Sequence, residues 1–75
     1  MTSKTSELLY DLIYQEIKSN ISESNSLIEQ LKNETSQTFD DVDKWVVWFL
    51  SQKFDDKEKE FIKLARRIYK VHTTR

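Results

Sequence analysis

Neither glycine nor proline occurs anywhere in the 75 residues. β-Hairpins and tight strand–helix loops draw on glycine for positive φ, and proline marks turns and edge strands. Helices joined by short Ser, Asn, Asp and Thr loops manage without either, because those residues cap helix starts. The chain is therefore expected to be all-α.

Length and composition narrow the choice further. A chain this short buries only about 60% of the surface it exposes when unfolded. With no cysteine, neither disulfides nor thiolate metal sites brace it. Residues 1–75 read as a single helical bundle domain held by helix packing, with a homodimer as an added source of stability. Met1-Thr2-Ser3-Lys4 is polar and lacks a signal-peptide core. The longest apolar run, Trp45 to Leu50, falls far short of the roughly 20 residues that span a bilayer. A cytoplasmic location is expected.

Four helices are expected, at about 7–21, 27–34, 39–53 and 56–72. The first takes Thr5 or Ser6 as N-cap, and its apolar positions, from Leu8 to Ile21, cover about two-thirds of the helical wheel. It should pack against two neighbours, or against one neighbour and a second copy. Ser19 to Ser26 is rich in side chains that compete for backbone hydrogen bonds, so a turn is expected there. Ser26 and Glu29 then form a capping box over a short helix that buries Leu27, Ile28 and Leu31. One long helix from Ser6 to Glu34 is the alternative. Thr38 with Asp41 opens the third helix, and Asp55 with Glu58 the fourth. The short link between Lys53 and Asp55 implies a helical hairpin, and the whole an antiparallel four-helix bundle.

Catalytic chemistry has little to work with. There is one histidine and no cysteine, and neither a Gly-rich phosphate loop nor an H-E-x-x-H pattern is present. His72 reads as a helix-end residue favoured by the dipole. The acids around Asp41 and Asp56 sit in first turns, where the helix field stabilises them, and they lack EF-hand spacing. No enzyme, cofactor or metal site is expected.

Surface features are more informative. Net charge is −1, yet beyond Phe61 stand Lys63, Arg66, Arg67, Lys70 and Arg75 with no acid. On the fourth helix Phe61, Leu64, Ala65, Ile68 and His72 share one face. Lys59, Lys63, Arg66, Arg67 and Lys70 share the other, within about 100° of arc. Such a stripe suits phosphate, anionic lipid or an acidic protein groove; a solvated face is the alternative. On the third helix, with Phe39 taken as part of the core face, Trp48 lies opposite the core and Trp45 at its edge. Tryptophan is enriched at interface hot spots, so Trp48 joins the cations as a candidate partner-binding residue.

The order of these pieces resembles the immunity proteins of pediocin-like (class IIa) bacteriocins, the enterocin A immunity branch above all. Glu7-Leu8-Leu9-Tyr10-Asp11-Leu12-Ile13 opens the chain, and Leu27-Ile28-Glu29-Gln30-Leu31 follows. An aromatic helix, Trp45-Val46-Val47-Trp48-Phe49-Leu50, precedes the most specific segment. That segment, Phe54-Asp55-Asp56-Lys57-Glu58-Lys59-Glu60-Phe61-Ile62-Lys63-Leu64, is similar to the family's lead-in to its last long helix. The resemblance implies a cytosolic four-helix bundle that shields a producer cell from its own pore-forming peptide, at the mannose phosphotransferase permease. It also implies that the C-terminal half sets which bacteriocin is blocked.

Two rival functions fit the residues alone. One is a phage- or plasmid-encoded regulator that binds nucleic acid through the basic helix; the other is an adaptor or inhibitor of a host protein. The lack of a helix-turn-helix glycine and the near-zero net charge count against the first.

Overall fold

The computed structural model of the chain describes residues 3–73. Among them lie four α-helices and no strand: α1 (Lys4–Ile17), α2 (Ile21–Thr35), α3 (Val42–Ser51) and α4 (Asp56–Thr73). Met1, Thr2, Thr74 and Arg75, the last being one of the cations beyond Phe61, lie outside the described residues.

Local hydrogen bonding sets each boundary, and several differ from expectation. Ser3, not Thr5 or Ser6, caps α1, its hydroxyl accepting from the Ser6 amide at 3.1 Å. The helix ends at Ile17 in a Schellman closure. There the Asn20 amide donates to the Gln15 carbonyl at 3.0 Å, the Ser19 amide donates to that of Glu16 at 3.1 Å, and Ser19 adopts φ 58°. A single helix from Ser6 to Glu34 is thereby ruled out.

Asn20 then caps α2, accepting from the Glu23 amide at 3.2 Å, so the helix starts well before Leu27. Ser24 is buried on the same face as Leu27, Ile28 and Leu31. Packing against α1 carries the Ser/Asn-rich stretch into a helix that its propensity alone disfavours. Ser36, at φ 61°, closes α2 with a bond from its amide to the Lys32 carbonyl at 2.9 Å.

Asp41 caps α3, accepting from the Asp43 amide at 2.7 Å, so Phe39 lies ahead of the helix. Asp55 caps α4 in the same way through the Lys57 amide. The expected return partner, Glu58, instead leaves its own helix and accepts from the Ser3 hydroxyl at 2.8 Å and the Ser3 amide at 3.2 Å.

One apolar cluster joins the helices. α1 supplies Leu9, Leu12 and Ile13, α2 Leu27, Ile28 and Leu31, and α3 Val42, Trp45, Val46 and Phe49; α4 gives only Ile62 and Ala65. α1 touches each of the other three helices, α3 and α4 also touch, and α2 packs on α1 alone.

The helix directions follow from the contacts. Ser3 meets Glu58, Tyr10 stacks near Phe61 at 4.5 Å, and Ile17 shares a groove with Ile68 and His72. α1 and α4 therefore run the same way. α3 opposes α4, since Asp43 at its start meets Arg66 and Lys70, while Phe49 near its end stacks on Phe54 at 4.2 Å. The parallel α1/α4 pair departs from an all-antiparallel bundle. The Ser3–Glu58 bonds join the two helix starts at one end.

Candidate binding surface

The rotation of α4 about its axis decides which side chains face a partner. Its core contact is made by Glu58, Ile62 and Ala65, with Tyr69 half-buried behind them. Two polar tethers bracket Ile62. Glu58 holds the α1 side through Ser3. Arg66 holds the α3 side, its Nε donating to Asp43 Oδ1 at 3.0 Å, and Lys70 lies 3.5 Å from Asp43 Oδ2.

This corrects the expected inner face. Only Ala65 of that set is buried, whereas Phe61, Leu64 and Ile68 are about half exposed and His72 is exposed. Hydrophobic content favoured the Phe61 face. The tethers, whose partners come from distant parts of the sequence, turn the helix away from it.

The cations divide accordingly. Arg66 is half-buried against Asp43, and Lys70 stays exposed beside the same carboxylate. Lys59 is half-buried. Lys63 is exposed and pairs with Glu60 at 3.4 Å. Arg67 is exposed and makes no ion pair among the described residues. Burial works to raise the Asp43 carboxyl, but the hydrogen bond and charge of Arg66, with the charge of Lys70, outweigh it, so Asp43 titrates below an ordinary aspartate. The sequence treats Asp43 as a helix-start charge; its opposition to Arg66 across the α3/α4 hairpin is visible only in the fold.

Trp48 is half-buried, not opposite the core. Its ring lies 6.5 Å from Phe39, 5.8 Å from Trp45 and 6.3 Å from Phe54, so the segments flanking α3 cover much of it. Trp45, placed at the edge by the sequence, is fully buried, with its indole N–H donating to the Phe39 carbonyl at 2.9 Å. Counting the non-helical Phe39 into the wheel turned the supposed core direction away from Trp45. Val47, more than half exposed, is the outward apolar residue of α3. Trp48 keeps an edge in a shallow groove with Phe39, Asp43, Lys44, Val47 and Ser51.

Two further depressions lie along α4. One is lined by Lys57, Glu60, Phe61, Lys63, Leu64 and Arg67. The other, of about 290 Å³, runs between α1 and α4 from Tyr10 and Tyr14 to Ile68 and His72. Among the described residues, no group of three or more His, Cys, Asp or Glu is placed to hold a metal, and no helix is long and apolar enough to cross a membrane.

Known proteins add no further constraint. No family model, no curated protein and no solved structure matches this chain. The reading of the surface rests on its own chemistry.

Proposed function

We propose that the chain is a non-catalytic binding protein of the bacteriocin-immunity type, acting from the producer's cytoplasm on a membrane receptor with its bound peptide. The observation that carries this reading is the outer side of α4, where Lys63 and Arg67 stand in solvent beside Phe61 and Leu64. A surface that pairs cations with apolar side chains suits an acidic protein face with a greasy centre, the usual anatomy of a docking site. The likeness of Phe54 to Leu64 to the immunity family supplies the biological setting, with the mannose phosphotransferase permease as the receptor it implies. Lys59, Arg66 and Lys70 would extend the contact toward α3, and the exposed edge of Trp48 would close it.

Expression in a bacteriocin-sensitive strain tests the reading. The parent chain should protect, and Lys63→Glu/Arg67→Glu should abolish protection while circular dichroism remains unchanged. Full protection by the double variant overturns the assignment of this face.

A further inference from the structure

Six large apolar side chains are at least 40% exposed along one side of the α1/α4 pair: Tyr10, Tyr14, Phe61, Leu64, Ile68 and Val71. They are contiguous. Tyr10 and Phe61 lie ring against ring at 4.5 Å, and Tyr14 and Ile68 wall the same groove. Phe61, Leu64, Ile68 and Val71 recur at alternating three- and four-residue spacing, which sets them on one line along the helix. At roughly 200 Å² per large side chain, the half-exposed set offers on the order of 500 Å² of apolar surface. That is the size of the largest apolar patch on a typical soluble monomer, a patch that often has a function.

The margins of the strip say what covers it. The depression beside Leu64 holds Lys57, Lys63 and Arg67 against Glu60 alone, and Glu60 is paired with Lys63. On the α1 side the Lys18 ammonium lies 5.1 Å from the Tyr14 ring centre, but Glu7 and Asp11 share the helical side of Tyr10 and Tyr14, so the cationic margin is that of α4. From residue 61 to residue 75 the sequence has no acid. A second copy that laid α4 against α4 would set these cations against themselves. An anionic bilayer presents the opposite sign. It also receives amphipathic tyrosine rings at headgroup depth.

We propose that the strip docks onto an anionic lipid surface. α4 lies flat on the membrane with Leu64, Ile68 and Val71 below the headgroups, and Lys57, Lys63 and Arg67 among the phosphates. The inference shares Lys63 and Arg67 with the face proposed above but does not rest on it. Vesicle binding tests this proposal, and protection of a sensitive strain tests that one.

The experiment is co-sedimentation of the full chain with vesicles of phosphatidylglycerol and phosphatidylcholine in equal parts, and with phosphatidylcholine alone. Binding is expected to the anionic vesicles only. Leu64→Asn/Ile68→Asn/Val71→Asn should weaken it by about tenfold or more, and Lys63→Gln and Arg67→Gln by roughly fivefold each. Phe61→Trp gives a local reporter whose emission shifts blue on binding; should the triple variant lose its helix signal, Val71→Asn in that background replaces it. Absence of binding to the anionic vesicles overturns the proposal, as does binding that the strip variants leave unchanged. A dimer in sedimentation velocity, dissolved by the same variants and found without vesicle binding, would assign the strip to a second copy and equally overturn it.

Discussion

Ser19 and Ser36 occupy left-handed backbone at φ 58° and 61°, where helices that end this way usually place glycine. A Cβ in that region costs roughly 1–2 kcal/mol, and glycine offsets part of the gain by loosening the unfolded chain. Ser19→Gly and Ser36→Gly should therefore each stabilise by about 0.5–1 kcal/mol, read as a higher urea midpoint at unchanged slope. A valine at either position should move the midpoint the other way. Ser24 poses the converse problem. It is buried in the α1/α2 seam, and among the described residues its hydroxyl oxygen has no hydrogen-bond partner. Removing an unpaired buried hydroxyl relieves a desolvation cost, so Ser24→Ala should raise stability by about 1 kcal/mol. A lowered urea midpoint for Ser24→Ala would contradict that account.

Among the elements, α4 separates two seams that the sequence cannot rank. Glu58, Ile62, Ala65 and Tyr69 follow one line of three- and four-residue spacing, and Phe61, Leu64, Ile68 and Val71 follow the next. Apolar content favours the second, and the structure buries the first. Ile62→Ala should cost about 2–4 kcal/mol, as a core truncation does, and Leu64→Ala less than about 1 kcal/mol. Equal losses in chemical denaturation would mean that α4 sits in another rotation. The same contrast marks what was legible. Helix content was readable from the missing glycine and proline, because that signal is local, whereas the broad apolar coverage from Leu8 to Ile21 did not single out Leu9, Leu12 and Ile13 as the α1 core. The start of α2 was not readable, since burial of Ser24 against α1 overrides the weak helix propensity of Ser22 to Ser26. Nor was the orientation of α4, which depends on Ser3 and Asp43, remote residues whose roles no periodicity reveals. Of the candidate site, the exposure of Lys63 and Arg67 agrees with the stripe read from sequence. The capture of Arg66 and Lys70 by Asp43 does not.

At the scale of the whole molecule, α4 is fastened by carboxylates as well as by apolar burial. It contributes two core residues, while Glu58 ties its start to Ser3 and Asp43 ties its later turns to α3. Asp40 ties the segment after α2 to Lys32 at 2.7 Å. For Glu58, burial acts to raise the carboxyl, but the hydrogen bonds from the Ser3 hydroxyl and backbone amide, with the Ser6 hydroxyl nearby, outweigh it. Its pKa, like that of Asp43 and Asp40, is lowered in the folded chain. A carboxyl depressed on folding contributes stability that is fully present above its unfolded value, about 4, and drains as pH falls through the lower folded value. The urea midpoint should therefore be nearly flat from about pH 7 to 5 and decline below about pH 4. Because α1 touches every other helix, release of α4 strips cover from the shared core, and the loss should be a single cooperative transition. Glu58→Gln separates the contributions. At neutral pH it should be less stable than the parent, having lost charge-assisted bonds from Ser3, yet its acid decline should be shallower, so the two curves converge as Glu58 in the parent protonates. Parallel curves at every pH would show that the Ser3–Glu58 link carries none of the acid sensitivity, leaving Asp43 and its two cations as the contacts through which acid loosens α4.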